Sequence, residues 1–272
     1  MKILHLPVNI SNQSRILVNS LKEKSIEADY LFFYKNRFKY QNKKGILEGK
    51  PKFMKKFYIN GRQKDKIIVG VDEVGRGALA GPVVAAAVLI SGLDYKTLET
   101  GVGFIPRESG VYVNDSKKMS GRQRETAFNY LGGNKQVKWA PGVISEKVID
   151  RINILQATKL AMQKAVRSLE RKAKKKIDLL LIDGNTNLNA EIRQQLVIKG
   201  DERIFLIKVA SIMAKVYRDK MMENYAKKFP EYKFELHKGY GTKLHFDKLK
   251  EYGPCKIHRK TFAPLKNFLE RY

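Results

Sequence analysis

The chain has 272 residues, of which 43% are hydrophobic, so it can bury a substantial core. It carries 54 Lys and Arg against 27 Asp and Glu, a formal net charge of +27, and that excess points to a polyanionic partner. A single cysteine, Cys255, excludes an intrachain disulfide and a cysteine-rich zinc site and fits a reducing cytoplasm, and no apolar run approaches the roughly 20 residues of a membrane span.

Residues 1–65 read differently from the rest. Lys2 to Leu6 has the text of a short strand, Ser11 to Lys24 that of a helix with Ile16, Leu17 and Leu21 on its apolar side, and Ala28 to Phe33 that of a second strand. Lys35 to Lys64 is rich in Lys, Arg, Asn, Tyr and Gly with weak periodicity and reads as a linker. We expect an N-terminal appendage of unassigned role over 1–65 and the main folded unit over 66–272.

From Lys66 the pattern tightens. Lys66–Val71 and Gly81–Ile90 read as strands joined by a glycine turn, and Gln136–Ser145 as a third around Trp139. A long helix is predicted from Asp150 to about Lys175, with Ile154, Ala157, Ala161, Ala165 and Leu169 on its buried face. Ile177–Ile182 is an apolar strand ending at Asp183-Gly184. A second helix is expected from Val209 to about Lys227, and the tail from Glu235 to Phe262 is basic and glycine-rich with helical stretches.

Acids mark the strand ends. Asp72 and Glu73 are adjacent carboxylates at the exit of the first core strand, and Asp183 ends another apolar strand. Buried acids are costly unless a cation holds them, and a divalent metal is the usual one. Parallel neighbouring strands would bring Asp72 and Asp183 side by side. Asp219 sits on the second helix, where Ser211, Lys215 and Asp219 follow at spacings of four and share one face. A lone strand-end Asp is equally a turn or cap residue, and Asp219 alone is equally a surface charge paired with Lys215 or Lys220. The turn Val74-Gly75-Arg76-Gly77 brings backbone N–H groups and a guanidinium beside the first acids, an arrangement suited to a phosphodiester.

Gly70-Val71-Asp72-Glu73-Val74-Gly75-Arg76-Gly77, running on through Ala86, resembles the signature of ribonuclease HII. Asn114-Asp115-Ser116-Lys117-Lys118-Met119-Ser120, Leu181-Ile182-Asp183-Gly184, Lys199-Gly200-Asp201, Ala210 to Asp219, His237 to Thr242 and Ile257 to Pro264 continue the likeness in order across residues 67–266. Lys208-Val209, Ala78 and Met119 depart from its usual residues. Residues 1–65 do not carry the family pattern; residues 1–35 weakly resemble the opening of a GT-B-type glycosyltransferase.

The resemblance implies an α/β fold of the ribonuclease H type: a mixed five-stranded sheet flanked by helices, with a C-terminal helical segment that binds substrate. It implies a metal-dependent endonuclease, using two Mg²⁺ or Mn²⁺ ions, that cuts the RNA strand of RNA/DNA hybrids. It further implies incision at ribonucleotides embedded in duplex DNA, as in ribonucleotide excision repair, leaving 3′-hydroxyl and 5′-phosphate ends. Asp72, Glu73, Asp183 and Asp219 match its catalytic, metal-holding acids. Gly75, Arg76 and Gly77 match the loop that reads the ribose 2′-hydroxyl, and Tyr240 the tyrosine that packs on the sugar at the RNA–DNA junction. Lys117, Ser211, Lys215 and Lys238 are candidate substrate contacts; His258 reads as a structural histidine in preference to a proton shuttle. The family is generally monomeric, and the tail Phe268–Tyr272 carries no clear pattern for a sliding-clamp partner. Two competing readings, a non-catalytic hybrid-binding module and a sugar-nucleotide transferase, lack support: the first predicts a missing acid, the second a donor domain.

Overall fold

A computed structural model describes residues 66–269. The expectations for residues 1–65, the glycosyltransferase-like opening among them, and for the last three residues of the tail lie outside the described residues. Strand β1 (Ile68–Val74) pairs antiparallel with β2 (Val83–Ile90) and parallel with β4 (Leu179–Asp183). β3 (Val137–Ile144) and β5 (Arg193–Val197) complete the sheet in the order β3-β2-β1-β4-β5. The mixed five-stranded α/β sheet expected from the sequence is therefore present. β5 is a strand the hydrophobic pattern did not mark, because its text, Arg-Gln-Gln-Leu-Val, is that of an exposed edge with only Val197 buried.

Helices α1 (Tyr95–Thr100) and α2 (Gly121–Gly133) lie between β2 and β3 in the chain, and α2 opens on a capping box between Ser120 and Gln123. Helix α3 (Glu146–Ala173) packs on β2 and β3. Ala157, Ala161, Ala165 and Leu169 are fully buried, as their spacing predicts. Small residues bring this helix very close to the sheet: a Cβ at Gly142 of β3 would lie 1.9 Å from the Ala161 carbonyl oxygen. α3 begins earlier than its expected start at Asp150, then breaks at Asn153 (φ 63°), whose side chain accepts hydrogen bonds from the Leu155 and Gln156 amides and restarts the helix.

The short α4 (Gly200–Arg203) leads into α5 (Phe205–Lys228), which crosses the other face of the sheet over β1 and β2. The first half of α5 is buried nearly all round, so its apolar text has no clean amphipathic stripe. The C-terminal part adds α6 (Phe234–His237), α7 (Lys243–Tyr252) and α8 (Ala263–Leu269).

Strand parity assigns the acids to faces. Val69 and Val71 belong to the core under α3, whereas Ile68 belongs to the core under α5. Successive strand side chains alternate, so Asp72 faces α5 and Glu73 the opposite side. On β4, Leu179 and Leu181 pack under α5, and Asp183 shares their parity. The register pairs Val71 with Ile182, so Asp72 and Asp183 emerge side by side on one face.

Candidate metal centre and nucleic-acid interface

Carboxylate oxygens of Asp72, Asp183 and Asp201 lie within 4.8 Å of one another. Asp72 arrives from the middle sheet strand and Asp183 from its parallel neighbour; Asp201 comes from α4, just beyond β5. Local structure fixes each. The Gly200 amide donates to Asp183 Oδ1 at 2.6 Å, so the α4 turn is tied directly to the end of β4. A Cβ at Gly200 would lie 2.5 Å from the Ile207 side chain and 3.2 Å from Asp183 Oδ1, so glycine permits this approach. The Glu73 amide donates to Asp72 Oδ1 at 2.7 Å, and Ser211 of α5 hydrogen-bonds Asp72 while its hydroxyl lies 2.8 Å from that of Ser116.

The electrostatics of this group are unfavourable as it stands. Burial raises the Asp72 carboxyl well above the usual range, and the Asp183 and Glu73 charges push the same way. Burial, then Asp201 and Glu73, raise Asp183 to about 7. Lys117 answers part of this charge, with its ammonium 2.6 Å from Asp201 Oδ2. Burial alone would lower the Lys117 pKa, yet the hydrogen bond and the charge of Asp201 leave it raised. Three crowded oxygen donors, of which Asp72 and Asp183 are poorly stabilised as anions, are the donor set that a hard divalent cation satisfies. The residues therefore fit Mg²⁺ or Mn²⁺.

Glu73 stands outside the three-acid group, as parity requires, and its Oε1 accepts from Arg76 Nη1 at 3.1 Å. Its charge is still felt by both Asp72 and Asp183. Asp219 does not join the group. It lies eight residues beyond Ser211 on α5, about 12 Å along the helix axis. Its carboxylate is held by Lys215 at 2.8 Å. The third acid beside Asp72 and Asp183 is Asp201, which the sequence reading did not name as a ligand. The signal was in the sequence: Asp201 follows Gly200 in one of the segments that carry the resemblance, but no apolar strand of clear pattern precedes it.

The remaining predicted contacts collect around the same end of the sheet. Gly75 has φ 87°, and Ala78, just after the Gly-Arg-Gly turn, forms an isolated bridge with Tyr240. The Tyr240 ring lies over the Arg218 guanidinium at 5.3 Å and has Lys215 Nζ at 5.7 Å. Lys238 is taken up by Glu223 at 2.7 Å and by the Glu235 carbonyl. Lys208 is half-buried in the field of Asp115 and Asp201, with burial lowering its pKa.

His258 is structural. Its Nδ1 accepts from the Cys255 amide at 2.8 Å, so its Nε2 carries the proton and faces His245 Nε2 at 3.0 Å. His245 in turn uses Nδ1–H on the Tyr240 carbonyl at 3.0 Å. Burial lowers His245 to about 3 and His258 to about 4, which keeps both rings neutral. Cys255 is half-buried, with burial pushing its thiol up to about 11.

Known proteins are similar to this chain over most of its described length. The family model described as ribonuclease HII matches residues 69–265. A ribonuclease HII of Endomicrobium trichonymphae is 44% identical over 206 residues, 75% of this chain and 89% of that protein. One from Lactobacillus acidophilus is 43% identical over 232 residues, 85% of each chain. That alignment is longer than residues 66–272 and so extends into residues 1–65, whereas the family model begins at residue 69. Among solved structures, the ribonuclease H2 of Pyrococcus horikoshii superposes with a TM-score of 0.59 at 25% identity, covering 75% of this chain and 98% of that one.

Proposed function

We propose, for a chain that belongs to the ribonuclease HII family, that it incises duplex nucleic acid at embedded ribonucleotides as well as in continuous RNA/DNA hybrids, leaving 3′-hydroxyl and 5′-phosphate ends. Family membership supports a metal-dependent ribonuclease H of type HII acting on the RNA strand of hybrids. The observation that carries the reading is the convergence of Asp72, Asp183 and Asp201 from three separate elements.

Asp72, Asp183 and Asp201 would hold the metal, with Glu73 adding negative charge beside them. A divalent cation bound there would supply Lewis-acid polarisation of the phosphate and make a water more acidic. Lys117 and Lys215 sit at the rim, each 2.6–2.8 Å from an acid, where they can shift to a phosphate oxygen. Ser211 holds Asp72 in orientation from the buried helix behind it.

Discrimination falls to the Gly75–Gly77 turn and Tyr240. The 2′-hydroxyl distinguishes RNA from DNA at one nucleotide, and it both donates and accepts. Glycines let the backbone of the turn come close to it. An aromatic face against the following sugar disfavours a second hydroxyl, so Tyr240 favours deoxyribose there. The basic excess of the chain supplies a phosphate-dominated footprint.

The test is cleavage of a labelled duplex containing one ribonucleotide, run with Mg²⁺, Mn²⁺ or EDTA. A single cut at the ribonucleotide that requires metal and leaves a ligatable 5′-phosphate is expected. Cleavage of continuous hybrids without any cut at the lone ribonucleotide would remove the finer part of this reading.

A further inference from the structure

Arg218 and Arg259 are among the largest side chains in the molecule to be fully buried, each 0% exposed. Neither forms a salt bridge with a carboxylate among the described residues. A buried guanidinium without a counter-charge is expensive unless every N–H finds an acceptor. Here the acceptors are backbone carbonyls. Arg218 donates from Nε to Pro82 O at 2.9 Å, from Nη2 to Ala80 O at 3.1 Å and from Nη1 to Lys238 O at 2.9 Å. Arg259 donates from Nε to Gly81 O at 2.9 Å, from Nη1 to Arg76 O at 2.9 Å and from Nη2 to Gly75 O at 2.7 Å.

Five of these six carbonyls belong to one stretch, Gly75–Pro82. In a trans peptide the N–H points opposite to the C=O of the same unit. Drawing the Gly75 and Arg76 carbonyls inward onto Arg259 therefore turns the Arg76 and Gly77 amides outward as two successive donors. Neither amide makes a backbone hydrogen bond in the turn. Successive outward N–H groups form a concavity suited to an oxygen ligand. Arg218 is packed so tightly below that a Cβ on Gly75 would lie 2.2 Å from its Nε. The same guanidinium carries the Tyr240 ring at 5.3 Å and, through the Lys238 carbonyl, the strand of chain leading into it.

We propose that Arg218 and Arg259 are positioning residues for sugar discrimination: they lock the Gly75–Gly77 turn and Tyr240 into one rigid unit with a fixed spacing between the outward amides and the ring. This rests on the reading of that turn and Tyr240 as the sugar-contacting elements. On that reading a ribonucleotide followed by deoxyribose would engage both contacts at once, whereas continuous RNA would make less use of the Tyr240 contact. Loosening the unit therefore harms junction cleavage more than hybrid cleavage.

The experiment uses the full chain with Arg218→Lys and Arg259→Lys, which keep the charge but lose the planar fork. Melting followed by circular dichroism reports folding, and calorimetric titration with Mn²⁺ reports the carboxylate site, whose affinity should stay within about twofold because neither arginine touches it. The ratio of kcat/KM for a single-ribonucleotide duplex to that for a continuous hybrid should fall by on the order of tenfold or more. In a Tyr240→Ala background, the Arg218→Lys change should lose most of that effect, since the two act as a unit. A folded variant with an unchanged ratio, or one whose effect adds in full to Tyr240→Ala, overturns the proposal. Should Arg218→Lys not fold, Arg259→Lys, held by a different element, carries the same readout. Absence of cleavage at a lone ribonucleotide by the unaltered protein would instead count against the underlying function.

Discussion

Two buried charged regions lie close together in this molecule and are built on opposite terms. Around Asp72, Asp183 and Asp201, carboxylates crowd one another, and burial and mutual repulsion push Asp72 up and Asp183 to about 7. Around Arg218, Arg259, His245 and His258, donors and acceptors are matched and the imidazoles are held neutral. The first region is poised to take a ligand; the second supports the chain that surrounds it. Unsatisfied charge marks chemistry, and satisfied charge marks architecture.

Removing ligand charge should break the contrast most severely. Asp72→Asn and Asp183→Asn are expected to lower kcat by roughly a thousandfold or more, since several kcal/mol of metal-assisted stabilisation goes with them. Steady-state cleavage of a continuous hybrid measures this, and wild-type turnover by Asp183→Asn would dismiss that carboxylate as a ligand. Next in size is the comparison of Asp201→Asn with Asp219→Asn. Asp201→Asn should cost on the order of a hundredfold and weaken Mn²⁺ binding. Asp219→Asn should change the rate by less than about threefold, because it loses only a partly exposed helix ion pair. The reverse order would return Asp219 to the metal centre.

At the rim, Lys117→Ala should raise KM by about tenfold and reduce the log–log salt slope of binding by about one. Binding measured across a salt series reads both.

The smallest expected effect is on stability, and there the two regions carry opposite signs. The folded pKa of Asp183, about 7, lies above its ordinary 3.8. The native state then holds the extra proton, so this group's stabilising contribution is lost as pH rises from about 4 through 7. His245 and His258, at about 3 and 4, lie below the ordinary 6.5. Their contribution is lost as pH falls from 6.5 toward 3. Metal-free Asp183→Asn protein should therefore melt roughly 5 °C higher than the unaltered metal-free protein at pH 8, with the gap closing toward pH 4. Melting curves in EDTA across that range test it; a gap independent of pH would mean that Asp183 is not strained. Added Mn²⁺ should reverse the order at pH 8 by stabilising only the chain that keeps the carboxylate.

Much of this was legible in the residues. Alternating cores under α3 and α5 assign Asp72 and Asp183 to one face, and a parallel register is enough to bring them together. The alanine face of α3 could be read from its spacing, and so could the glycine turn. β5 could not, because an edge strand of Arg, Gln and Gln has no burial pattern to display. Helix α2 went unmarked as well, because its apolar stripe, Ala127 and Leu131, is too thin to announce a helix.

The sequence by itself determined the sheet's central strands, the order of the acidic segments and the family, because strand alternation and short glycine-bounded runs are local properties. That Asp201 converges with Asp72 and Asp183 while Asp219 pairs with Lys215 shows only in the tertiary structure. So does the use of Arg218 and Arg259 as interior donors to backbone carbonyls. Those outcomes depend on distances between residues far apart in the chain, and an Asp or Arg in the text carries no mark of whether its charge will meet a lysine, a carbonyl or another acid once the helices have packed.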